Sequence, residues 1–161
     1  GRPRDFCGTL MRIPLLSIMA ILTAGSAHAQ ISVAGVRDLA FGSVAVGVTT
    51  AVLPTDPVRS GQWTITANLG NQVQIKLTLP NNLNGPSGAT MPVLFTTGDV
   101  FVQENSTGSQ PDYFNPGGAK VFKFSRGTQA FIRLGGRVTP AVGQRSGAYA
   151  SSALITVTLL N

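Results

Sequence analysis

Apolar and polar residues alternate along most of the chain after residue 30, and no stretch there repeats with the period of an α-helix. The clearest run, residues 71–80, predicts a β-strand with one apolar and one polar face, because side chains alternate between the two faces of a strand. Its apolar positions are Val73, Ile75, Leu77 and Leu79, with Gln74, Lys76 and Thr78 between them.

Further period-two runs are separated by Gly, Pro and Asn, the residues that favour turns. They cover residues 31–33, 39–46, 62–68, 91–95, 99–103, 120–125, 129–138 and 147–159. A short link at residues 69–71 is typical of a hairpin turn. Eight or nine strands without intervening helices predict an all-β chain, an antiparallel β-sandwich with Greek-key links.

The last run predicts a core-facing row on the terminal strand. Tyr149, Ile155, Val157 and Leu159 share one parity, and Gly147 begins the strand after a turn. If Tyr149 points inward, its hydroxyl needs a hydrogen-bond partner. Trp63 is predicted to face the core in the same way, in phase with Ile65.

Residues 11–29 have the organisation of a helical signal peptide. Arg12 precedes an apolar run at residues 13–22, and Ala27-His28-Ala29 fits the rule for cleavage before Gln30. The run is shorter than the roughly 20 residues that a bilayer requires, so we predict no transmembrane anchor in the mature chain. Residues 1–10 are interpreted as upstream non-native translation, residues 30–161 as one β-sandwich domain, and the location as the periplasm, cell surface or extracellular space.

Cleavage at Gln30 would remove Cys7 and His28, the single Cys and the single His. The remaining chain could then form no disulfide, no Cys–His or Ser–His nucleophile and no Cys or His metal site. Its carboxylates fall in no recognisable catalytic motif: Asp38, Asp56, Asp99, Glu104 and Asp112. We predict that the protein is not an enzyme and uses no cofactor or metal.

Charge is sparse and slightly basic in residues 30–161, with nine Lys and Arg against five Asp and Glu. Residues 120–126 interleave basic and aromatic residues, as single-strand nucleic-acid platforms do. Alternation around Phe122 and Phe124 instead favours a half-buried strand with cations on its outer face. Together with export, this predicts no nucleic-acid partner.

Four short motifs occur in a familiar order. Leu39-Ala40-Phe41-Gly42 resembles the LxFG opening of a bacterial secreted family of uncharacterised β-sandwich domains, and residues 62–80 resemble its central hairpin. Ala89-Thr90-Met91 resembles the following segment, and Gly147-x-Tyr149 is similar to the start of its last strand. The layout is also similar to spore-coat-U-like domains and archaic chaperone–usher pilins.

This resemblance implies an immunoglobulin-like sandwich that lacks one strand. In such pilins a periplasmic chaperone supplies the strand first, and the N-terminal extension of a like subunit supplies it later. The chain is therefore expected to be a structural or assembly subunit of the bacterial surface that acts by β-strand pairing. The residues expected to take part are Ile31, Val33, Gly147, Tyr149, Ile155, Val157 and Leu159.

Two alternatives remain open from the sequence. A secreted binding module for carbohydrate or another envelope component would use residues 104–118, where aromatic and polar side chains adjoin in Asp112, Tyr113, Phe114 and Asn115. Phe114 could instead pack beneath its own loop. A self-complete domain within a larger secreted assembly would share the sandwich fold and need no added strand.

Overall fold

A computed structural model describes residues 30–160, and these form an all-β protein with twelve strands in three antiparallel sheets. Two single-turn 3₁₀ helices, Pro86–Gly88 and Thr97–Asp99, interrupt the strands. Within this part of the chain, no helix is long and apolar enough to cross a bilayer. The predicted upstream segment and signal peptide, residues 1–29, lie outside the described residues.

The strands vary from two to seven residues in length. In chain order they are β1 (Ser32–Arg37), β2 (Thr50–Val52), β3 (Gly61–Thr66), β4 (Gln72–Thr78), β5 (Asn82–Asn84), β6 (Thr90–Leu94), β7 (Val100–Glu104), β8 (Asp112–Tyr113), β9 (Ala119–Lys123), β10 (Gln129–Leu134), β11 (Gly136–Val138) and β12 (Leu154–Leu159).

A five-stranded sheet (β1-β3-β10-β7-β8) and a three-stranded sheet (β12-β4-β9) enclose the larger core in a sandwich-like arrangement. Its buried side chains are Ile65, Ala67, Val73, Ile75, Leu77, Val100, Val102, Phe114, Phe124, Ala130, Ile132 and Leu134. A four-stranded sheet (β2-β11-β6-β5) carries a smaller core around Met91, Val93 and Val138. Phe95 packs against both cores and joins them.

The prediction of a hairpin at residues 69–71 is wrong. β3 and β4 belong to different sheets, and the link between them crosses from one to the other. Ile65 of β3 and Ile75 of β4 are both fully buried in the same core, which requires their strands to face each other across it. A backbone hydrogen bond from Gly70 to the carbonyl of Phe124 (2.7 Å) holds the crossing against the end of β9.

The run at residues 129–138 forms two strands rather than the single predicted one. The break lies at Gly135, whose backbone N–H donates to the carbonyl of Asp99 at 2.7 Å. A Cβ at this position would lie 2.2 Å from the carbonyl oxygen of Val52, so only glycine fits there. The chain passes from the five-stranded to the four-stranded sheet at this point.

Two other boundaries also differ from prediction. Residues 39–46 form no strand, and the terminal strand begins at Leu154 rather than at Gly147. The strand count exceeds the expected eight or nine because β2, β5, β8 and β11 are only two or three residues long. Pieces of that length are too short to give a period-two signal.

Candidate functional site

One side of the sandwich is closed by polar links between the five-stranded and the three-stranded sheets. Nζ of Lys120, on β9, lies 2.6 Å from a carboxylate oxygen of Asp112, on β8. Glu104, at the end of β7, is buried and accepts hydrogen bonds from the backbone N–H groups of Ser125 and Arg126. β9 therefore lies over β7 and β8, which places the two opposite edge strands, β1 and β12, together on the other side.

That other side is open. Five side chains that pack against the larger core on this side are only partly buried. Two lie beside or on the five-stranded sheet, Ile31 and Trp63, and three lie on β12, namely Ile155, Val157 and Leu159. Val33 pairs with the fully buried Ile65 and so faces the core, yet it is 40% exposed. Within residues 30–160, the edge of the larger core between β1 and β12 is therefore only partly covered.

The backbone of β12 also has an unpaired edge. Leu160 donates its N–H to the carbonyl of Gln72 at 2.9 Å, and β12 pairs antiparallel with β4 throughout. Because alternate residues of an antiparallel strand point their backbone groups to opposite sides, those of Ile155, Val157 and Leu159 point away from β4. They have no strand partner within residues 30–160.

A cleft of about 970 Å³ continues this open side toward the four-stranded sheet. Residues 38–46 form one wall, here called the first wall, and residues 144–153 form the second wall. Apolar side chains from or beside the five-stranded and four-stranded sheets line the floor: Trp63, Leu83, Met91, Phe95 and Leu134. The cleft also includes Gly35 of β1 and Ala153, which precedes β12, so it adjoins the open side; the cleft and the open side are together called the groove.

The second wall is fixed against β5 and the turn that follows it. Ala150 and Asn84 exchange two backbone hydrogen bonds of 2.8 and 2.9 Å. The Tyr149 hydroxyl donates to the carbonyl of Arg145 (2.7 Å) and accepts from the side chain of Gln144 (2.6 Å). The hydroxyl therefore has hydrogen-bond partners. Tyr149 precedes β12 and packs against the smaller core, whereas Ile155, Val157 and Leu159 pack against the larger core, so the four residues do not form the single row that was predicted.

The first wall makes backbone hydrogen bonds near its two ends, and Phe41 and Val44 between them pack against the smaller core. Ala40 donates to the carbonyl of Arg59 and Gly47 donates to that of Pro140, both at 2.9 Å. Between them the backbone turns at Gly42, whose φ of +72° lies in the region that favours glycine. This explains why residues 39–46, although apolar and alternating in part, join no sheet.

β1 is attached to the domain mainly at its C-terminal end. None of its six residues is buried, and five are exposed. The guanidinium of Arg37 donates to the backbone carbonyls of Pro57 (2.5 Å) and Ser60 (2.6 Å) and to the Ser60 hydroxyl (3.0 Å). Arg37 therefore secures an edge strand that buries little surface of its own.

The turn that receives Arg37 is organised by Asp56. One carboxylate oxygen accepts the backbone N–H groups of Val58 and Arg59, each at 2.8 Å. These two hydrogen bonds lower the pKa of Asp56 below its usual 3.8, because they stabilise the ionised form. No group of three or more His, Cys, Asp or Glu within residues 30–160 is placed to hold a metal ion.

The residues predicted for a ligand loop do not share a surface. Phe114 is 7% exposed and packs in the larger core, whereas Tyr113 is 44% exposed on the outer face of the sheet. Asp112 is engaged by Lys120, and the side chain of Asn115 accepts the backbone N–H of Gly117 (2.9 Å). Phe114 therefore contributes to the larger core and does not pack beneath its own loop.

No known protein-family model matches this chain, and no curated protein matches it significantly. The groove must therefore be interpreted from its own geometry. Its floor residues Leu83, Met91 and Phe95 were not predicted as site residues, because each belongs to a short apolar segment that resembles an ordinary strand. Of the residues predicted to take part in strand pairing, Gly147 and Tyr149 line the cleft. The others lie on β12 or in and beside β1, outside the cleft lining: Ile31, Val33, Ile155, Val157 and Leu159.

Proposed function

We propose that this protein is a structural subunit of an exported bacterial assembly and that it joins like subunits by accepting an added β-strand along β12. One observation carries the proposal: a half-buried apolar row and an unpaired backbone edge coincide on Ile155, Val157 and Leu159. An extended segment laid there would both form hydrogen bonds and cover the core.

The arrangement of the sheets supports an immunoglobulin-like sandwich that lacks one edge strand. β1, β3, β10 and β7 would form one sheet and β12, β4 and β9 the other, with crossing links of Greek-key type. A complete domain of this kind has a further strand beside β12. We infer that such a strand would lie beside β12, over the half-buried side chains of Ile155, Val157 and Leu159.

We assign the donated segment to residues 30–37 of a second copy. Ile31 and Val33 are two positions apart, which is the spacing of the apolar row on β12. In its own domain this segment forms an edge strand with no buried residue, so its release costs little buried surface. Export follows from the signal-peptide pattern of residues 11–29, and a mature chain that starts at Gln30 is expected in the periplasm or outside the cell.

Sedimentation velocity tests the assembly. Wild-type protein is expected to form oligomers with rising concentration, and a variant that lacks residues 30–37 is expected to remain monomeric. A double variant, Ile31→Ser with Val33→Ser, should behave like the deletion. Ala34→Ser is the matched control, because Ala34 pairs with Thr64 and faces outward.

Each outcome separates the proposal from the alternatives. Equal assembly of the deletion and the wild type would remove residues 30–37 as the donor. A wild-type protein that stays monomeric at every concentration would favour a self-complete domain. The carbohydrate loop receives no support from the placement of Phe114 in the core.

A further inference from the structure

The outer face of the five-stranded sheet carries a cluster of aromatic and arginine side chains. Ala130, Ile132 and Leu134 of β10 are buried in the core, so Phe131 and Arg133 between them point outward. Arg133 pairs with Phe101 on β7, and Phe101 pairs in turn with Tyr113 on β8. Cross-strand partners share a face, which defines an aromatic–arginine face: Phe101, Tyr113, Phe131 and Arg133.

These four side chains pack against one another. The ring centroids of Phe101 and Tyr113 are 5.3 Å apart and tilted by 59°. The guanidinium carbon of Arg133 lies 5.4 Å from the centroid of the Phe131 ring, within the range of a cation–π contact. Phe101 is buried within the cluster, whereas Tyr113 remains 44% exposed at its edge.

Arg133 has hydrogen-bonding capacity that the described chain does not use. Its Nε is shielded from solvent and has no hydrogen-bond partner, and its guanidinium forms no ion pair within residues 30–160. Arg37, by contrast, has partners for all three guanidinium nitrogens. Because Nε is shielded, an external anion would contact Arg133 through its two terminal guanidinium nitrogens and would neutralise its charge there.

No carboxylate of the neighbouring strands competes for this position. Glu104 on β7 is buried and already receives the backbone N–H groups of Ser125 and Arg126. Asp112 on β8 is paired with Lys120 at 2.6 Å. The aromatic–arginine face therefore presents a cation whose charge is not neutralised locally.

We propose that the aromatic–arginine face binds an acidic polysaccharide. The planar fork of Arg133 matches a uronate carboxylate, and the exposed ring of Tyr113 offers an apolar platform for one face of a sugar ring. Side-chain amides from adjacent strands flank the cluster: Gln62 opposite Arg133 and Gln103 opposite Phe131. The four residues of the aromatic–arginine face include one cation, which disfavours nucleic acid, because nucleic-acid binding depends on several phosphate contacts.

Calorimetric titration with an oligogalacturonate tests this site, and the fully methyl-esterified oligomer is the uncharged control ligand. Wild-type protein is expected to bind the acid, and the ester should bind at least about tenfold more weakly. Arg133→Gln should weaken binding of the acid by a similar factor. Lys76→Gln, which removes one positive charge from the outer face of the other sheet, should leave binding unchanged.

Arg133→Lys keeps the positive charge but removes the planar fork, so we expect it to bind the oligogalacturonate more weakly than wild type. This variant tests the site independently if Arg133→Gln fails to fold. Thermal melting of each variant identifies loss of fold. The proposal is overturned if wild type does not bind the acid, if the ester binds equally well, or if Lys76→Gln weakens binding as much as Arg133→Gln. Tighter binding of single-stranded DNA than of the oligogalacturonate would also overturn it.

Discussion

The ring of Tyr149 lies directly against the α-carbon of Gly85, and a Cβ at position 85 would stand 2.3 Å from Cε1 of that ring. This contact fixes the second wall of the groove to the strand β5. Pro86 makes a similar close approach, because a Cβ on Gly147 would lie 2.6 Å from its Cγ. The wall is therefore held by packing that tolerates no added atom on either glycine.

Gly85→Ala should displace Tyr149 and loosen the second wall. Overpacking of this kind costs about 1–3 kcal/mol of unfolding free energy, measured by denaturant titration. Gly98→Ala is the matched control, because nothing lies within 4 Å of a Cβ at that position. If Gly85→Ala and Gly98→Ala lowered the unfolding free energy equally, the packing of Tyr149 would not depend on the absence of a Cβ at position 85.

Arg37→Gln should release β1 from the turn at residues 56–60. Loss of several charge-assisted hydrogen bonds is expected to speed amide exchange in β1 by roughly tenfold or more. If β1 is the donated strand, the same variant should assemble at lower concentration than wild type. Slower assembly together with faster exchange would contradict the assignment of β1 as donor.

The Asp56 carboxylate should contribute to stability in a pH-dependent way. Its pKa is lower in the folded state, so its contribution is present above the unfolded pKa near 3.8 and is lost as pH falls through the folded value. Asp56→Asn should therefore be less stable than wild type at neutral pH. The unfolding free energies of the two proteins should become equal in acid. A difference in unfolding free energy that does not change with pH would contradict this role of Asp56.

Glu104→Ala should weaken the closed side of the sandwich, since it leaves two backbone N–H groups at residues 125 and 126 without their acceptor. Loss of hydrogen bonds to a buried carboxylate costs about 1–3 kcal/mol, which thermal or chemical unfolding would detect. Glu104→Gln keeps one acceptor oxygen and should lose less. An alanine variant as stable as wild type would mean that water replaces the carboxylate without cost.

Local alternation was sufficient to predict the all-β class and the buried face of β4, because the direction of a side chain in a strand depends only on its parity. Sheet membership was not predictable in this way. The crossing at residues 69–71 and the break at Gly135 depend on distant partners, Phe124 and Val52 respectively. Residues that meet only after folding give no signal within a short window.

Part of the candidate site was likewise predictable from local alternation, and part depends on contacts between distant residues. The apolar row on β12 was predicted from parity, whereas the cleft floor at Leu83, Met91 and Phe95 arises from the way two sheets adjoin. The sequence predicted that Tyr113 and Phe114 share the surface of one loop. Adjacent residues of an extended segment instead point to opposite faces. Recognition of β8 as a strand would have separated them.

Amide hydrogen exchange along β12, measured by NMR in monomeric and in assembled protein, tests the added strand most directly. In the monomer the N–H groups of Ile155, Val157 and Leu159 should exchange rapidly, while those of Thr156 and Thr158, directed to β4, stay protected. On assembly the first three should become at least about tenfold more protected. Unchanged exchange of these three groups in the assembled protein would contradict strand addition at β12.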